Sequence, residues 1–93
     1  MLDKIKSRMG IHESVTIYDE EITGLISDAI HDLGFSGVPK AVIDDKTESV
    51  LMAVVLYVKA NFGNDRSDTN RYMALYRQKV FRLTMEEGGE DVE

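Results

Sequence analysis

The sequence predicts an all-α domain, a small bundle of three main helices plus a short N-terminal one, arranged around a buried central helix over residues 48–62. Three observations carry this. The run VLMAVVLYVKANF from Val50 to Phe62 is apolar on nearly every side of a helix, with only Glu48, Lys59 and Ser49 sharing a narrow polar stripe. Ile22, Leu25, Ile26, Ala29, Ile30 and Leu33 recur at helical spacing as one apolar stripe, and Tyr72, Met73, Tyr76, Val80 and Leu83 form another, with Leu75 at its edge. The central run is longer than an ordinary strand and has no internal turn signal. It is also too short to span a bilayer, which takes about 20 apolar residues, and Lys59 interrupts it. A helix of this kind needs cover on several faces, and the two amphipathic stripes are there to supply it.

Taken in order, Leu2, Ile5 and Met9 suit a two-turn amphipathic helix that Gly10 stops. Ile11, Val15 and Ile17 then alternate roughly with polar residues, which predicts an extended connector laid against the core. Asp19 is a good N-cap for the next helix, Glu20 and Glu21 put negative charge where its dipole favours it, and Gly34 sits where a left-handed C-terminal cap is wanted. Phe35, just past that cap, is expected to seal the last turn. Residues 36–46, SGVPKAVIDDK, hold the single proline and read as a loop, with Val38, Val42 and Ile43 tucking inward or making one turn of helix. Asp45 or Thr47 caps the central helix, which ends at Gly63. Asn64, Asp65 and Arg66 make a short loop, and Ser67 or Asp68 caps the last helix, expected from about Asp68 to Met85. On that helix Phe81 points away from the core face, beside Ala74 and among Arg71, Arg77, Gln78 and Arg82, as a contact for another molecule would. Residues 1–85 are thus expected to form one domain, and 86–93, EEGGEDVE, a disordered acidic tail not needed for the fold.

Ninety-three residues suffice for one small core, burying about 60–65% of the unfolded surface. Without cysteine there is no disulfide framework and no thiolate metal site. The first turns, with Lys4, Lys6 and Arg8, lack the apolar stretch of a signal peptide, so a cytoplasmic origin is expected. The net charge of −6 is unevenly distributed. Residues 12–50 hold nine acids against Lys40 and Lys46, while residues 51–85 hold six bases against Asp65 and Asp68. One subunit's acidic face could therefore meet another's basic face in a head-to-tail contact, or both could be solvated surface.

Reactive constellations are thin. Asp28 and His31 are spaced to offer two metal ligands, but no further residue is marked to complete a site, and His12 lies in the connector. Helix capping accounts for Asp19, Glu20 and Glu21, and also for Asp44 and Asp45. Neither a phosphate-cradling glycine loop nor a calcium-loop spacing occurs. No catalytic residue, cofactor or metal is expected, and the chain reads as a non-enzyme. Sequence-specific DNA binding through Arg71, Arg77, Gln78, Lys79 and Arg82 is disfavoured, because these side chains spread around the helix and an acidic tail follows.

The string AVVLYVKANFGND from Ala53 to Asp65, followed by Asn70, Arg71, Tyr72 and Tyr76 and a helix ending near Leu83, resembles the small head-tail connector proteins of tailed bacteriophages, often described as DNA-packaging proteins. The likeness is most specific over 53–83 and looser over Asp19 to Phe35. It implies a structural virion protein with no catalytic motif, made in the host cytoplasm and placed at the head-tail junction. Copies would form a ring under the portal after DNA packaging, extend the DNA channel and receive a downstream connector or tail completion protein, with DNA only as passing cargo and no membrane. Within that role Arg71, Ala74, Arg77, Gln78, Phe81 and Arg82 are expected at a protein interface. Glu13, Asp28, Asp32, Asp44 and Asp45 are expected to face the channel, where negative walls would repel phosphates and let the duplex slide. The alternative is a small helical regulatory or adaptor protein that binds another protein or DNA.

Overall fold

A computed structural model describes residues 1–63 and 67–86. The described residues form five helices: α1 (Leu2–Arg8), α2 (Asp19–Phe35), α3 (Lys40–Asp45), α4 (Glu48–Asn61) and α5 (Thr69–Thr84). The expected loop at 64–66 and the acidic tail from Glu87 onward lie outside the described residues.

α4 is the centre, as its composition requires. It buries Val50, Leu51, Ala53, Val54, Val55, Val58 and Ala60, and packs most extensively on α5 and then on α2. Thr47 is its N-cap, with the Val50 amide donating to Thr47 Oγ1 at 3.4 Å, so the cap is Thr47 rather than Asp45. α2 adds Ile22, Ala29 and Leu33 to the core, and α5 adds Tyr76, Val80 and Leu83. Both stripes therefore point where their spacing put them. Tyr57 of α4 and Tyr76 of α5 meet edge to face with ring centroids 5.2 Å apart, and Tyr18 meets Phe62 at 5.4 Å.

Four local expectations are settled or corrected. Residues 36–46 contain a true short helix, α3, entered through Pro39, whose φ of −57° suits a helix start, and Val42 and Ile43 are buried from it. Among the described residues the bundle thus has five helices, α3 being the turn of helix that the sequence left open. Asp19 is the first helical residue of α2 rather than its cap; the cap position belongs to Tyr18. α2 runs through Gly34 to Phe35, and the left-handed residue is Gly37, with φ of +101°. There the Val38 amide donates to Leu33 O at 3.0 Å and the Gly37 amide to Gly34 O at 3.1 Å, the paired bonds that close a helix at a left-handed glycine. Val38 and Leu33, rather than Phe35, are buried in the core on either side of this turn, and Phe35 is left 95% exposed. α1 ends by the same device: Gly10 has φ of +77°, and the Ile11 amide donates to Lys6 O at 2.9 Å.

The fourth correction concerns the connector 11–18. It consists of two tight turns, with the Val15 amide bonded to His12 O and the Asp19 amide to Thr16 O. Only Ile11 packs on the core; Ile17 is 79% exposed. The cause is Lys6, which is 1% exposed. Its ammonium donates to Glu13 O at 3.1 Å and Val15 O at 2.6 Å, and lies 2.8 Å from Asp19 Oδ1. That carboxylate oxygen is shielded from water and makes no aligned hydrogen bond among the described residues, so the nearby ammonium compensates its charge. A buried lysine thus ties α1, the connector and the start of α2 together. Lys6→Met, which keeps the length of the side chain but removes the cation, should cost about 2–3 kcal/mol in urea unfolding, the lower end for a broken buried pair because Asp19 is partly wet. It should also release protection of the connector amides in hydrogen exchange, whereas unchanged stability and exchange would show that the cation does not hold the connector.

Candidate functional site

The six residues of α5 expected at an interface, Arg71, Ala74, Arg77, Gln78, Phe81 and Arg82, are all exposed. They lie off the face that carries Tyr76, Val80 and Leu83, because 3.6-residue periodicity turns position 81 away from 76, 80 and 83. Arg77, Gln78, Phe81 and Arg82 come together around one shallow depression, with Phe81 64% exposed among them. Arg71 stands apart: its guanidinium is 5.8 Å from the centre of the Tyr72 ring, which the Lys59 ammonium approaches at 5.9 Å. An apolar strip of Met52, Leu56 and Leu75 adjoins the same face, rimmed by Gln78, Lys79 and Arg82. Among large apolar side chains, Met52, Leu75 and Phe81 are each more than a third exposed, so the basic face of α5 also has an apolar component.

A second face lies on α2. Ser27, Asp28, His31, Asp32 and Phe35 fall on its outer side and, with Tyr57 of α4, line a concavity of about 470 Å³. The five acids expected toward the channel are not gathered in one place. Asp28 and Asp32 share this concavity, Glu13 lines a different one with His12, and Asp44 is held by Lys40 at 2.7 Å one helical turn away. Asp45 is exposed at the end of α3. The role of Phe35 in this face went unseen in the sequence because Gly34 looked like a helix stop. The usable signal was the pair Leu33 and Val38 about Gly37, which places the stop after Phe35.

Asp32 also has a structural duty. The Tyr76 hydroxyl donates to Asp32 Oδ2 at 2.6 Å, which links α5 to α2 across Tyr57. Burial above all, and then the Asp32 carboxylate, push the Tyr76 phenol far above its ordinary range. The Tyr57 phenol is raised as well, by burial and then by Asp28 and Asp32. Among the described residues, no three or more His, Asp or Glu side chains form a group that could hold a metal ion. His12 is engaged with Ser14, Nδ1 to Oγ at 2.8 Å. What these faces offer is charged and aromatic contact area.

A phenol whose pKa is raised by folding stabilises the fold fully below about pH 10, its unfolded value, and loses that contribution as pH rises beyond it. Alkaline titration followed by tyrosinate absorbance should therefore show Tyr76 ionising only as the chain unfolds. Tyr76→Phe should remove that step and cost about 1 kcal/mol at neutral pH through the lost bond to Asp32. Reversible ionisation of all four tyrosines in the folded protein would contradict this.

Among the described residues no helix is long and apolar enough to cross a membrane. No curated protein and no solved structure gives a significant match to the chain. The sequence model of one family, described as phage connector protein, matches residues 1–90, which takes in all five helices and both charged faces. The chain therefore belongs to the phage connector protein family.

Proposed function

We infer that this connector is the subunit of a ring that docks under the portal after DNA packaging, extends the DNA channel and joins the head to tail components. Its partners in this reading are copies of itself, the portal protein and a downstream connector or tail completion protein. It is a structural protein of the head-tail junction, made in the host cytoplasm, and not an enzyme. Family membership supports the structural connector role. The observation that carries the finer reading is the outer face of α5, where Phe81 is 64% exposed amid Arg77, Gln78 and Arg82 on a helix whose opposite face is fully engaged with the core. An exposed aromatic among arginines is the composition of a protein-binding hot spot.

DNA is cargo in this scheme. Of the five acids, Glu13, Asp28 and Asp45 are exposed and have no ion-pair partner among the described residues, as a repelling channel wall would require. Asp44 is neutralised by Lys40. The regulator alternative would need a coherent basic stripe for DNA, and Arg71, held on the Tyr72 ring, stands away from the Arg77 and Arg82 cluster.

Phe81→Asp tests the reading without touching the core. The variant should keep its helical circular dichroism and unfolding midpoint, yet lose assembly with the portal protein in co-sedimentation, by at least about tenfold in affinity if Phe81 is a hot spot. Assembly equal to the unmodified protein would remove α5 from the interface.

A further inference from the structure

Helices α2 and α5 divide charge between them. α2 carries Asp19, Glu20, Glu21, Asp28 and Asp32 and no lysine or arginine, whereas α5 carries Arg71, Arg77, Lys79 and Arg82 and no acid. This segregation works partly against each helix alone. Asp32 sits in the last turn of α2, where unpaired carbonyls disfavour an anion, and Arg71 in the first turn of α5, where unpaired amides disfavour a cation. Nor does the chain neutralise the two helices against each other. The ion pairs among the described residues join Lys6 to Asp19, Arg8 to Glu48 and Lys40 to Asp44, and none bridges α2 and α5. Each helix also leaves a phenylalanine in water, Phe35 at 95% and Phe81 at 64% exposure.

Building on the ring reading above, we propose that these two faces are each other's partners across copies. Phe81 of one subunit packs against Phe35 and Tyr57 of the next, with Arg77 and Arg82 set against Asp28 and Asp32. Charge and apolar surface point to the same occupant. The open depression on α2 is acidic and carries Phe35 and Tyr57, and the one on α5 is basic and carries Phe81. An apolar centre with a complementary charged rim is how specific interfaces are built. A second copy presenting the same α2 face would set acid on acid, and DNA would bring phosphates to carboxylates, so both are disfavoured occupants. When each copy gives its α5 face to one neighbour and its α2 face to another, the contact is heterologous and hands on from copy to copy, as a ring demands.

The contact can be read at both faces at once. The chain has no cysteine, so Gln78→Cys accepts a single nitroxide beside Phe81. Mixed with unlabelled-side-chain, ¹⁵N-enriched protein at on the order of 1 mM, where even a contact of millimolar Kd is well populated, it should broaden amides from Ser27 to Phe35 ahead of those in α1 and α3. Asp28→Lys in the enriched copy, or Arg77→Glu with Arg82→Glu in the labelled copy, should weaken the association at least about tenfold, and combining the two reversed partners should restore it. Broadening centred elsewhere, none at that concentration, or no rescue in the combined mixture would overturn the pairing. Such a result would leave the connector reading intact if portal binding persists, whereas a correct pairing without portal binding would sink that reading and keep the pairing.

Discussion

A helix that is apolar around almost its whole circumference is stable only while something covers it, and α4 sets that condition for the entire chain. α2 and α5 meet it with one face each and α1 contributes Ile5, while Val42 and Ile43 of α3, which packs on α2, complete the same core. Fully burying a valine or leucine is worth about 1.5–3 kcal/mol, so in a chain of this size α4 is the principal source of stability. The consequence for function is that α2 and α5 have only one face committed. Their outer faces are free to carry charge and aromatic surface without weakening the core.

The polar ties in the structure serve the same arrangement. Lys6 fastens the connector and the start of α2 to α1, and the Tyr76 to Asp32 bond fixes α5 relative to α2 over the Tyr57 ring. The Tyr76 to Asp32 bond joins residues 44 apart in the chain, and Lys6 joins α1 to the first residue of α2 through Asp19. Each also positions a face that points outward: Asp32 lies in the α2 concavity, and Tyr76 anchors the helix that presents Phe81. Scaffold and surface are thereby coupled, since a shift of α5 on α4 would move the basic face with it.

Much of this was legible in the sequence because it rests on periodicity. The buried sides of α2, α4 and α5 and the outward position of Phe81 all follow from 3.6-residue spacing. What periodicity does not carry was read less well. The burial of Lys6 was hidden because a lysine among Lys4, Ser7 and Arg8 looks like surface, and only the folded connector supplies the carbonyls that satisfy it. Exposure of Phe35 depends on which of two glycines, Gly34 or Gly37, takes the left-handed conformation; Gly37 does, with Leu33 and Val38 buried on either side and joined by a backbone hydrogen bond. The short helix α3 was ambiguous because six residues contain too few repeats to show a period. At the interaction faces, the charge asymmetry between the middle of the chain and its last helix was visible from composition. The grouping of Arg77, Gln78, Phe81 and Arg82, and the separation of Glu13, Asp44 and Asp45 from Asp28 and Asp32, needed the fold.

In the proposed role the chain is a scaffold whose two outer faces are covered by other subunits, and the most direct test is the native mass of the purified protein. Light scattering over a wide range of concentration, alone and with the portal protein, should give a closed ring, formed either by self-association or on the portal as template. A monomer at every concentration, indifferent to portal, would contradict it.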